Sequence, residues 1–143
     1  MMIPQYSDIQ VGDQIPLLKL QLINRTTLAL YCGASGDHNP IHVDIDFAKA
    51  AGMPDVIAHG MLSMAWLARV LTDWVPQQAI REYSVRFSAM THVGERIRCA
   101  GKVVEKFERA GAQGVERCVR LELSTTNQDG QLKLSGEAVI ALA

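Results

Sequence analysis

Asp37 and His42 are the side chains of this sequence whose types and spacing most readily support chemistry. They lie in the run Tyr31-Cys32-Gly33-Ala34-Ser35-Gly36-Asp37-His38-Asn39-Pro40-Ile41-His42. Glycines at 33 and 36 permit backbone shapes that other residues resist. Pro40 fixes its own φ and biases Asn39 away from the helical region. The chain from Asp37 to His42 is therefore expected to bend, bringing a carboxylate and an imidazole toward one point. Held together, such groups can share a water molecule. One takes its proton while the other moves a proton to or from carbon.

Asp-x-Asn-Pro is also ordinary turn chemistry, with Asp37 and Asn39 bonding nearby amides, and spacing alone leaves both readings open. The pair Gly12-Asp13 carries no such implication, because nothing like Asn-Pro-x-His follows it. His38 and His42 stand at i and i+4 and suggest metal ligands. Against that, Pro40 disfavours the helix that would align them, and no third ligand follows at a zinc spacing.

A second candidate is Ala58-His59-Gly60-Met61, at the start of the most apolar helical stretch of the chain. Helix N-termini present unpaired N–H groups and the positive end of a dipole. Those groups can accept negative charge developing on a carbonyl oxygen, and Gly60 has no side chain to block the approach. The plainer alternative is that Gly60 permits a tight helix start and His59 is structural.

The elements that must position these residues follow from periodicity. Met61–Val75 reads as a helix that is apolar almost all round, with Arg69, Thr72 and Asp73 as its polar stripe, and Pro76 is expected to stop it. Such a helix must be enclosed on most sides. Alternation then marks four strands: around Tyr83–Ala89, from Ile97 to Val103, from Val115 to Leu123, and from Leu132 to Leu142. The turn Asn127-Gln128-Asp129-Gly130 separates the last two. A short strand near Ile15–Leu22 is weakly patterned. One buried helix followed by antiparallel strands, each with one apolar face, packs economically as a sheet wrapped around the helix. The expected class is thus α+β, a single hot-dog fold spanning 1–143. A ferredoxin-like fold would want a second amphipathic helix between strands, and none is patterned after Pro76.

Composition narrows the function classes. The 143 residues carry a net charge of −1 and are 48% hydrophobic and 20% charged. That balance gives no electrostatic case for nucleic acid or an anionic membrane. No apolar run reaches the roughly 18 residues of a membrane span. Cys32, Cys99 and Cys118 form no CxxC and leave an odd thiol, which suits a reducing compartment. The opening MMIPQYSDIQVGDQIP shows no basic start and apolar stretch, so a cytoplasmic protein is expected.

The run Ser35–His42 resembles the hydratase signature of the MaoC-like family, which includes (R)-specific enoyl-CoA hydratases. Ile57-Ala58-His59-Gly60-Met61-Leu62 is similar to the start of that family's helix. Val85-Arg86-Phe87 with Val93-Gly94-Glu95 resembles its later strand pair. The similarity runs from Val11-Gly12-Asp13 to the last strand, and it extends to the catalytic β subunits of (3R)-hydroxyacyl-ACP dehydratases. The resemblance implies reversible syn hydration of a trans-2-enoyl thioester to the (3R)-3-hydroxyacyl thioester. Asp37 and His42 would be the dyad, Asn39 would hold the water or the dyad, and the Gly60 amide would be the oxyanion donor. It implies no metal and no redox cofactor, an acyl-CoA or acyl-ACP substrate, and a dimer. That dimer is homomeric by default, with a heterodimer as the alternative. Met90-Thr91-His92 and Glu95 depart from the pattern, in which Pro and Asp are usual, and bear on local turn shape.

Two other readings compete. A non-catalytic subunit of a heteromeric dehydratase would usually lack the Asp/His pair. A hot-dog thioesterase would place a carboxylate on the central helix facing the substrate, and Asp73 lies near that helix's end. The basic row Arg96, Arg98 and Lys102 suits the phosphate of CoA or an acidic carrier protein, or is simply a solvated strand face.

Overall fold

A computed structural model describes residues 2–143. The chain forms strand β1 (Leu18–Leu22), helices α1 (Arg25–Ser35), α2 (Ile45–Ala50) and α3 (Gly60–Thr72), then strands β2 (Ile80–Phe87), β3 (Arg96–Gly111), β4 (Gly114–Thr126) and β5 (Leu132–Leu142). The strands make one antiparallel sheet in the order β1-β3-β4-β5-β2.

Register sets which residues face the helix. Val103, Leu121, Ala138 and Tyr83 lie side by side across four strands. The first three are fully buried, as are Leu67 and Leu71 of α3. Tyr83 anchors the helix directly, its hydroxyl donating to the Met64 carbonyl at 2.6 Å. A register shift between Val103 and Glu105 inserts an extra residue into β3. Such bulges bend a strand and increase its twist. The result is a sheet curved around α3, the hot-dog arrangement expected from the patterning.

Several elements differ from expectation, each for a physical reason. Helix α3 ends at Thr72, ahead of Pro76, where the Trp74 N–H tightens onto the Leu71 carbonyl in an i→i−3 bond that breaks the α-helical pattern. Its circumference is less enclosed than its composition suggests. Leu62, Leu67, Val70 and Leu71 are buried, whereas Met61 is 60% exposed and Trp66 is half-buried. The exposed end borders an open groove.

Helix α1 has no sharp sequence signal. Only Leu28 and Cys32 of it are buried, and Leu30 points to solvent. Its start is fixed locally by Asn24, whose side chain accepts from the Thr27 amide at 2.8 Å. Its end is fixed by Gly36, in the left-handed region at φ 75°, whose N–H returns to the Cys32 carbonyl. Gly33 instead lies inside α1 with no positive φ, so its conformational freedom is unused. The first strand covers Leu18–Leu22, and the segment before it contributes only a bridge from Gln14 to Lys102.

Candidate active site

Ending α1 at Gly36 releases the chain into a loop that starts with Asp37. The Asp37 amide donates to the Ser35 hydroxyl, and its carboxylate accepts from the Asn39 amide at 3.3 Å. The Asn39 side chain accepts from the Ile41 amide at 3.1 Å and so caps the single 3-10 turn Pro40–His42. The turn chemistry read from sequence is therefore present. It is also what delivers His42 back toward Asp37.

His42 is fixed from the far side of the loop. Its Nδ1 lies 2.7 Å from the Ile57 carbonyl. A carbonyl can only accept, so Nδ1 carries the proton and Nε2 is left with a lone pair. The same loop is stitched a second time, by the Ile57 amide on the Ile41 carbonyl.

His59 caps α3 from the N-terminal side, with its backbone extended and no side-chain cap bond. Its Nε2 lies 3.1 Å from the Asp37 carbonyl, which also accepts from the Cys32 thiol at 3.0 Å. The His59 ring stacks on His42 with centroids 3.7 Å apart at 22°, and meets the Tyr31 ring edge-on at 4.7 Å. One ligand-type atom from each of Asp37, His42 and His59 lies within 4.8 Å of the others. That spacing suits a bridging water between donor and acceptor.

The fold thus brings together Asp37, His42 and the start of α3. Gly60 and His42 line one groove of about 440 Å³, walled on the other side by Phe87, Met90 and Thr91. Gly60 has no positive φ, and a Cβ built there would meet the Phe87 ring at 3.1 Å. Glycine at this position keeps the wall open. His38 is exposed and lies outside the three-residue group. His59 takes the third place, which sequence spacing did not reveal because it lies on a separate element. The metal reading gains a third group but a poor geometry. Each histidine already donates one nitrogen to a carbonyl. The stacked rings then direct their remaining lone pairs along nearly parallel planes, unlike ligands converging on one tetrahedral ion.

The basic row sits elsewhere. Arg96 and Arg98 are exposed on β3, with Lys19 of β1 directly opposite Arg98, and neither lines the groove at Gly60. Asp73 is an exposed residue at the C-terminal end of α3, a helix length away from Gly60.

A family model described as a MaoC like domain matches residues 9–127, a span that includes every residue of this site. The chain belongs to that family. Among curated relatives, an (R)-specific enoyl-CoA hydratase of Rhodospirillum rubrum is 32% identical over 64% of this chain and 64% of its own length. The fatty acid synthase subunit beta of Saccharomyces cerevisiae is 28% identical over 92% of this chain, which spans only 6% of that subunit. Among solved structures, the unliganded R-hydratase PhaJ1 from Pseudomonas aeruginosa superposes with a TM-score of 0.81 at 27% identity. The match covers 96% of this chain and 85% of the hydratase.

Proposed function

We propose that this MaoC-like chain catalyses the reversible hydration of trans-2-enoyl thioesters to (3R)-3-hydroxyacyl thioesters. The observation that carries the reading is the His42 tautomer. Its Nδ1–H is committed to Ile57, so its bare Nε2 is the base, beside the Asp37 carboxylate and in the groove that Gly60 lines. Water held between Asp37 and His42 gives a proton to the dyad, and its oxygen bonds to C3 of the substrate. The electron pair of the C2–C3 double bond moves toward the thioester oxygen, where the Gly60 amide at the start of α3 stabilises it. The dyad then returns a proton to C2, and no oxidation occurs. Asn39 serves this chemistry by holding the Asp37 carboxylate through its amide and the His42 turn through its side chain.

The thioester is carried by CoA or by acyl carrier protein, since both present the same pantetheine arm. Two relatives name both carriers: the Rhodospirillum rubrum hydratase, and a 3-hydroxyacyl-[acyl-carrier-protein] dehydratase of Arabidopsis thaliana that is 27% identical over 62% of this chain. A spectrophotometric assay of crotonyl-CoA and longer enoyl-CoA esters tests the reaction. Loss of the enoyl absorbance with formation of the (3R) product is expected. No hydration of any chain length on either carrier overturns it.

The working form is a dimer, homomeric by default. Strand β2 leaves one edge of the sheet unpaired, and exposed edges are ordinarily covered. Phe87, Met90 and Met61, each at least half exposed, gather an apolar surface beside the groove. No helix among the described residues is long and apolar enough to cross a membrane. With Cys32, Cys99 and Cys118 all free and buried, a cytoplasmic setting fits.

A further inference from the structure

We propose that His59 is a positioning residue that fixes both members of the Asp37–His42 pair, one by a hydrogen bond and the other by stacking. The inference rests on the acid–base reading of that pair and adds a component to it.

The starting observation is an unpartnered atom. His59 is 1% exposed, and its Nδ1 is buried without a hydrogen-bond partner among the described residues. Buried polar groups are nearly always paired, and a histidine serving only stability would be expected to satisfy both ring nitrogens. What this ring does contact is the dyad. Its Nε2–H donates to the carbonyl of Asp37, which also accepts from the Cys32 thiol, so this bond tethers the exposed first half of the loop as the Ile57 bonds tether its second half. Its face lies against His42 at 3.7 Å. Tyr31, edge-on from α1, backs the ring and prevents it from retreating.

Each contact has a separate consequence. The hydrogen bond sets the height of the Asp37 backbone, and so the reach of its carboxylate. It also fixes the His59 tautomer, because a carbonyl cannot donate. The stack holds the plane of the His42 ring, which its single bond to Ile57 leaves free to tilt. When His42 takes a proton from water, its charge lies over the face of a neutral ring, within the range of a cation–π contact. Asn or Gln at position 59 therefore differ sharply. A Gln amide nitrogen reaches the place of Nε2, whereas an Asn amide nitrogen reaches only the place of Nδ1.

The test compares His59→Gln, His59→Asn and His59→Phe in the intact protein. Three measurements are made: thermal melting, kcat and KM for crotonyl-CoA, and the ring-current shift of the His42 ring protons by NMR. Loss of positioning is expected to lower kcat by roughly 10- to 100-fold with KM little changed, since misplacement by about 1 Å costs that much. His59→Asn should show the full loss, and His59→Gln should recover a clear part of it. His59→Phe keeps a ring against His42 and deletes the donor to Asp37, so it should lose kcat while the ring-current shift of the His42 ring protons persists, whereas Gln and Asn should abolish that shift. Equal kcat in the Gln and Asn variants overturns the proposal. So does wild-type kcat in folded His59→Phe, or a His42 ring-proton spectrum left unchanged in folded His59→Asn. The spectrum needs no turnover. If the wild-type protein hydrates no enoyl thioester, the hydratase reading falls, and the NMR arm still decides whether His59 holds His42.

Discussion

Lys133 and His59 are each 1% exposed, and each lies beside the same groove, yet their surroundings differ in kind. The Lys133 ammonium touches the Met90 carbonyl at 2.7 Å, the Gln131 side chain at 3.0 Å and the Glu95 carboxylate at 2.9 Å. Glu95 in turn accepts from the His92 amide and the Asn127 side chain, both at 2.6 Å. Every donor of the ammonium has a partner, and the carboxylate is ringed by donors. The histidine cluster is left incomplete: among the described residues one ring nitrogen of His59 is unpaired, and His42 keeps a free lone pair. A saturated buried network holds a shape and has nothing left to offer a substrate. An unsaturated one at a groove has capacity to spare. The lysine cluster ties the segment from Ser88 to Glu95, whose first four residues wall the groove, to the turn before β5. The histidine cluster faces the opening.

The comparison breaks most decisively at the dyad. Asp37→Asn and His42→Ala should each keep the fold, because Asp37 is exposed and His42 only partly buried. Each should lower kcat by about two to four orders of magnitude. The losses should not add in the double variant, since in the proposed reaction both groups act on one water. Near-normal turnover in Asp37→Asn would remove the chemical half of the contrast.

The juxtaposition of Asp37 and His42 was legible in sequence because its spacing is local: Gly36, Pro40 and the two residues share one turn, and turn chemistry is written in consecutive residues. His59 was not legible as a partner of the dyad. It reaches Asp37 and His42 only because the Ile57 amide and carbonyl both bind the 41–42 turn, a pairing between distant segments. Helix α1 was missed for a related reason: it buries so little of one face that no 3.6-residue apolar stripe marks it. The buried Lys133–Glu95 pair was invisible because Lys133 alternates with Leu132 and Leu134 as a solvent-facing residue would. Only the loops that fold over that face of β5 enclose it.

The saturated cluster should fail in the opposite way to the dyad. Lys133→Met leaves the Glu95 carboxylate buried without its cation, and removing one member of a buried pair costs about 3–5 kcal/mol of stability. Turnover per folded molecule should change far less than stability. Burial alone would push the Glu95 carboxyl up, but donors from Asn127, Lys133 and His92 outweigh it and hold it below the usual carboxylate range. The sign follows. A depressed folded pKa contributes stability that is full above the unfolded value of about 4.3, and that is lost as pH falls through the lower folded value. Denaturant melts at descending pH should show that acid loss in the wild type and a flatter profile in Glu95→Gln. Equal slopes would mean that the carboxylate is not held by these donors.

Two glycines provide the finest division between shape and chemistry. Gly36 has a φ of 75° and open space around its missing Cβ, so Gly36→Ala meets no clash. Its cost is the backbone alone, about 1 kcal/mol, with a smaller fall in turnover because Asp37 follows directly. Gly60 is the reverse: its φ is ordinary, and an added Cβ meets the Phe87 ring at 3.1 Å. Phe87 is 56% exposed and can swing aside, so melting of Gly60→Ala should change little. The new methyl and the displaced ring then both stand in the groove where, in the proposed reaction, the thioester oxygen approaches the Gly60 amide, and turnover should fall. Melting temperature and single-turnover rate, measured together on both variants, separate the two cases. If Gly60→Ala turned over normally, the oxyanion donor would have to lie away from the start of α3, and the helix dipole would have no part in the reaction.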